Sequence, residues 1–186
     1  MNLYRIIVFC HVAATLALFG ALAIEWVSLR SLRQAESYEQ AREWVGLWRL
    51  LAPLGAPFAL VILASGIFLA RTIGAWTLGW VEAAVPTLVI AALAGGIVGP
   101  RRNRLQAAVA TRVGPLPGDL LMQLRQPLLL ASWRFRAALL TGLVFDMTVK
   151  PASGGALVMA VVALVGIVWG LLTWAGAPAR VQETVS

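Results

Sequence analysis

Long apolar runs limit what this chain can become more than any other feature. Leu3 to Ser28, Leu50 to Ala70, Trp76 to Val98 and Ala156 to Trp174 are each nearly free of charge. A bilayer-spanning helix needs about 20 mostly apolar residues at about 1.5 Å rise each. In lipid such a run closes all its backbone hydrogen bonds within itself. In water, one small domain could not cover four of them. The composition agrees, with 60% hydrophobic and 12% charged residues where soluble domains carry about 25% charged. Mean hydropathy is +0.84. A further run, Leu128 to Val149, carries Arg134 and Arg136 near one end and Asp146 near the other. We read it as a fifth span, because Phe135 to Val149 is apolar over several turns and is followed by Pro151 and the turn Gly154-Gly155. The alternative is four spans, with this segment lying flat in the interface. The expected fold is an all-α polytopic bundle forming a single domain over residues 1–186, since no linker or charge block divides it. The small-residue stretch Ala21-Leu22-Ala23 resembles a signal-peptide cleavage site. The first run is long enough to span, and it is expected to be retained.

The net charge of +7 is carried almost wholly by arginine, in particular loops. This is a topology signal and not a nucleic-acid signal; the bilayer is the expected partner. Positive residues stay on the cytoplasmic side. Of the 15 Lys and Arg, all but Arg5, Arg71 and Lys150 fall on one side of a five-span arrangement. The N-terminus is therefore expected outside and the C-terminus, with Arg180, inside. Within the loops, Ala41, Trp44, Val45, Trp48 and Leu51 recur at helical spacing, predicting an amphipathic helix from Glu39 to Leu51 along the cytoplasmic face. Pro53 and Pro57 should bend the chain after it. Arg101 to Val113 reads as a basic helix, followed by the turn Gly114 to Gly118 and a short helical turn capped by Asp119. Trp26, Trp76, Trp80, Trp133 and Trp174 lie near span ends, where indoles favour the headgroup zone. Gly95 with Gly99, and Gly166 with Gly170, allow close helix approach. They serve packing within the chain, or contact with a second copy or another membrane protein.

No complete motif for catalysis, nucleotide binding or a metal cage is present, and no catalytic residue is assigned. The single cysteine, Cys10, permits no intrachain disulfide. Attention falls on ionisable groups inside the spans, which are costly unless they are paired, wet or functional. His11, Glu82 and Asp146 all lie in the outer half of the bundle and are expected to converge there. Pro86, four residues after Glu82, frees the carbonyl of residue 82 from the helical ladder. Such a cluster suits a proton, a small cation or a bound water, with His11 and Glu82 as binding residues and His11 with Asp146 as metal candidates. Imidazole can ligate haem iron or copper, or relay protons, and Met147 and Met159 offer soft ligands. Cys10 points about 100° away from His11 on a helix and does not share an ion with it. The plain alternative is a histidine hydrogen-bonded to a neighbouring helix. Asp146 and Lys150 have the i, i+4 spacing of an ion pair. Arg134 and Arg136 read as headgroup anchors, and Glu25 as reaching inner headgroups or pairing with a loop arginine.

Several short segments carry a resemblance. Phe9-Cys10-His11-Val12-Ala13-Ala14 running to Gly20 is one, and Gly66-Ile67-Phe68-Leu69-Ala70-Arg71 leading to Gly74-Ala75-Trp76 and Gly79-Trp80-Val81 is another. Met147-Thr148-Val149-Lys150-Pro151 is a third. Together they resemble a bacterial family of integral membrane proteins of unknown function, related to the copper-resistance protein D group. The resemblance implies a helical inner-membrane protein. The wider group is also similar to a haem-binding protoporphyrinogen oxidase with a histidine in its first helix, which makes His11 the position of interest and haem or copper the cofactor candidates. The chain has neither a second membrane histidine nor a lysine in the third span, so the resemblance does not imply that oxidase activity.

Overall fold

A computed structural model describes residues 2–51, 54–75, 77–151 and 154–175. Among the described residues there are eight helices and no strand: α1 Leu3–Leu32, α2 Tyr38–Leu51, α3 Gly55–Thr72, α4 Gly79–Ile97, α5 Gly99–Val109, α6 Gly118–Leu124, α7 Pro127–Val149 and α8 Gly155–Ala175. Among the described residues, five helical stretches are long and apolar enough to cross a membrane: Leu3–Leu32, Tyr38–Thr72, Gly79–Val109, Gly118–Val149 and Gly155–Thr173. The protein is an all-α polytopic bundle. Pro53, Trp76 and Arg180 lie outside the described residues, and Pro57 sits in the first turn of α3.

The segment least clearly apolar in sequence proves central. Helix α7 packs against α8, α4 and α1, and a helix lying flat in the interface would not. Small residues make this possible. Along α7 the stripe Ala131, Phe135, Ala138 and Gly142 meets Gly170, Gly166 and Val162 of α8. At Gly166 an added Cβ would lie 3.0 Å from the Cβ of Ala138, and at Gly170 it would lie 3.4 Å from the carbonyl oxygen of Ala131. These glycines bring the two backbones together, letting dispersion do what the hydrophobic effect cannot do in lipid.

At the arginine-rich end a second apolar cluster forms. Tyr38, Ala41, Val45 and Trp48 make one face of α2, as their spacing requires. That face packs on Leu105 and Val109 of α5, Leu120 and Leu124 of α6, and Leu29 and Leu32 of α1. The amphipathic helix is present, but protein covers its apolar face rather than lipid. Its entry is fixed by backbone pairing around Ser37 and Pro115, with Tyr38 N–H donating to Gly114 O at 2.9 Å and Leu116 N–H to Glu36 O at 2.9 Å. Arg42 donates from Nε to Val109 O at 3.1 Å and also to Arg112 O, closing the end of α5. The basic helix stops at Val109, short of Val113, where the chain turns back through Gly114 at φ +97. Asp119 lies in the first turn of α6 but makes no cap hydrogen bond; Pro117 holds the cap position.

Two of the indoles expected at headgroups are packing groups instead. Trp80 is buried. Trp133 donates from Nε1 to Leu22 O at 2.8 Å and stacks with Trp26 at a centroid distance of 4.6 Å. An indole that finds a carbonyl inside the bundle has no need of interfacial water.

Candidate functional site

His11 faces α3. Its Nδ1 lies 2.9 Å from Ser65 Oγ, and Gly66 lets the ring approach, since a Cβ there would sit 3.3 Å from His11 Cε1. Ser65 Oγ also contacts the carbonyl of Val61 one turn back. It reaches the carbonyl of Ile62 as well, at 3.2 Å. With the single hydroxyl hydrogen on one of these carbonyls, Nδ1–H donates to Oγ, and in that tautomer Nε2 carries the lone pair. The ring lines a mostly apolar cavity of about 270 Å³ together with Tyr4, Gly66, Trp80, Met147 and Lys150.

The expected convergence does not occur. Glu82 is exposed on the outer side of α4, one residue past the inward-facing Trp80 and Val81, and does not line this cavity. Asp146 is fully buried, yet it too lies outside the cavity. Helical geometry gives the reason: Leu143 and Met147 form the stripe of α7 that lines the His11 cavity, whereas Asp146 continues the Gly142 stripe toward α8. Among the described residues no three His, Cys, Asp or Glu side chains gather around one point. Cys10 is exposed.

The Asp146–Lys150 ion pair is also absent. Lys150 caps α7 in the left-handed conformation (φ 50, ψ 57), which takes its side chain off the helical register. Its N–H donates to Asp146 O at 2.9 Å, while Nζ lies 5.7 Å from the centroid of the Trp80 ring. Both carboxyl oxygens of Asp146 are left without a hydrogen-bond partner. Such a group costs its full desolvation, about 1–3 kcal/mol or more. Asp146→Leu is therefore expected to raise the apparent melting temperature in detergent by a few degrees. A fall would mean that the carboxyl has a stabilising partner.

The groups that do converge lie at the opposite end. Glu25 of α1 accepts from Arg136 of α7 through both oxygens, at 3.0 and 2.6 Å, and is also paired with Arg102 of α5. All three side chains are nearly buried, at 10–12% exposure. Trp48 of α2 stacks on Arg102 at 5.6 Å. Gly95 of α4 admits the Arg136 stem, which would lie 3.5 Å from a Cβ there. Arg136 is thus an internal ion-pair partner rather than a headgroup anchor, whereas Arg134 donates to Trp169 O at 3.0 Å and stacks on that indole. This end is crowded with positive charge. Just beyond α1, burial first, and then repulsion from Arg125 and Arg134, hold the Arg33 guanidinium below its ordinary pKa. The triad has no local signature, because its members are 77 and 111 residues apart.

No protein-family model, no curated protein and no solved structure matches this chain. Of the four glycines expected at interfaces, Gly166 and Gly170 face α7 of the same chain and Gly95 faces Arg136, while a Cβ at Gly99 would meet nothing.

Proposed function

We propose that this chain is a membrane-embedded binding protein that holds a small soft cation, such as copper(I), or a proton at His11. The observation that supports the reading is the Ser65 contact at Nδ1, which orients the ring and, in the tautomer where Nδ1–H donates to Ser65 Oγ, makes Nε2 the ligand atom. Met147 lines the same cavity, and a thioether beside an imidazole favours a soft monovalent ion over a hard one. When bound, such an ion would supply ligand exchange or one-electron chemistry; the chain's own part is to orient the imidazole and exclude water. A haem group fits less well. The cavity is below the roughly 300–1,000 Å³ of pockets that enclose drug-sized molecules, and only one histidine is available.

The resemblance to the copper-resistance protein D group supports this reading, as it does location in a bacterial inner membrane. The arginine distribution supports an N-terminus outside and a C-terminus inside. Docking to other membrane proteins through paired glycines has less support, since the Gly166 and Gly170 face is already occupied within the chain.

The test is copper(I) competition against a colorimetric chelator, with elemental analysis and an absorption spectrum, on protein in mild detergent. Wild type is expected to retain the ion. His11→Ala should abolish retention, and Ser65→Ala should weaken it about 10–100-fold by releasing the ring. Glu82→Gln should change nothing. If no metal is retained and the His11→Ala protein titrates like wild type, the reading fails.

A further inference from the structure

A cavity of about 350 Å³ lies at the arginine-rich end, and the Glu25–Arg102–Arg136 triad lines its polar wall. Its charge does not balance. Two guanidiniums face one carboxylate, which leaves one positive charge in a largely buried place. The buried polar atoms lining this cavity that lack a partner are Trp48 Nε1, Arg102 Nε and Arg136 Nε. All three are N–H donors. A wall with surplus positive charge and unsatisfied donors is complementary to an anion with several acceptor oxygens, and guanidinium forks suit carboxylate and phosphate.

Asn103 and Gln106 of α5 add polar groups beside the triad, and the rest of the cavity is apolar. Leu18 and Leu22 come from the turns of α1 preceding Glu25, Ala59 from α3, Leu88 and Ala91 from α4, and Leu140 from α7. Its rim includes Ala56 of α3 and Ala92 and Gly96 of α4, which are exposed on spanning helices and open it toward lipid, as well as the exposed Asn103 of α5. A small water-soluble anion would leave the apolar wall uncovered, and a neutral lipid would leave the donors unanswered.

We propose that this cavity binds an anionic amphiphile, with its carboxylate or phosphate against Arg102, Arg136 and Trp48 and its chain along the apolar wall, leaving between α3 and α4. The site is independent of His11. The headgroup chemistry is shared by two sources, an acidic phospholipid and a free long-chain fatty acid.

Native mass spectrometry of the full chain released from neutral detergent separates them, using phosphatidylglycerol, oleate and, as control, phosphatidylcholine. Retention of phosphatidylglycerol assigns a lipid site, and retention of oleate alone assigns a fatty-acid site. Two variants test the location. Gly96→Leu should block the rim, since a Cβ there meets nothing within 4 Å and the triad is untouched. Arg102→Met removes the surplus charge while leaving the two-pronged Glu25–Arg136 pair in place. Each is expected to lower retention about tenfold or more, equivalent to about 1.4 kcal/mol, with little change in melting temperature. The proposal is overturned if neither anion is retained, if phosphatidylcholine is retained equally, or if both variants bind like wild type.

Discussion

Replacing Glu25 with glutamine should cost the protein about 3–5 kcal/mol, the usual penalty for removing one partner of a buried ion pair. The loss would come from what is left behind rather than from the missing bond. With the carboxylate gone, Arg102 and Arg136 face each other at 12% exposure with no anion between them. Because Glu25 lies on α1, Arg102 on α5 and Arg136 on α7, the repulsion acts between three helices. Poor accumulation in the membrane and a markedly lower melting temperature are the expected signs. Arg136→Met introduced into the Glu25→Gln chain should recover part of the loss, since it removes one of the stranded charges. The coupling from the four-protein cycle should be well above the few tenths of a kcal/mol seen for independent sites. An unchanged melting temperature for Glu25→Gln would show that the triad is not what joins these helices. A single charge in the middle of the set thus has a larger effect than either flanking arginine. Arg102→Met leaves a neutral pair, and Glu25→Gln leaves two like charges.

The same triad shows where a sequence stops being readable. The spans could be read because a membrane demands about 20 apolar residues in a row, and this requirement is local. The face of α2 could be read for the same reason: Tyr38, Ala41, Val45 and Trp48 recur within four turns. What covers that face could not, since Leu105 and Leu120 are brought there by the chain's return through Pro115. Site prediction depended on depth in the membrane, which sequence gives, and on rotation about the helix axis, which it gives poorly. His11, Glu82 and Asp146 share a depth. Glu82 turns outward and Asp146 turns toward α8, and each difference is a matter of one or two positions at about 100° per residue. Ser65, the residue that orients His11, is a small polar residue in an apolar run and carries no mark of its own. The pair Ser65-Gly66 was the available signal, a hydroxyl beside a gap in the side-chain surface. For Glu25 and Arg136, rarity inside a span was signal enough to mark each residue but not to pair them.

Gly155→Ala is expected to be the most damaging change of a single carbon in the described structure. A Cβ on Gly155 would lie 2.9 Å from both the N and the Cα of Trp80 and 3.0 Å from the carbonyl carbon of Gly79. All three are backbone atoms at the first turn of α4, so no rotamer change can make room. The start of α8 would have to move away from α4, opening the backbone contact at Gly79 and Trp80. Overpacking of this kind costs about 1–3 kcal/mol where side chains can yield, and more where they cannot. Gly142→Ala is the useful comparison. There the added carbon would lie 2.5 Å from Val162 Cγ1 and 2.8 Å from Cγ2, a nominally worse clash with a removable side chain. In mid-helix the substitution also gains about 1 kcal/mol of helix propensity. Adding Val162→Ala should therefore recover much of the Gly142→Ala loss, whereas no side-chain deletion on α4 should restore Gly155→Ala. Melting temperatures of wild type, Gly155→Ala, Gly142→Ala and the Gly142→Ala/Val162→Ala double variant in one detergent decide the matter. If Gly155→Ala melts with wild type, α8 does not dock on the backbone of Trp80, a residue that lines the His11 cavity.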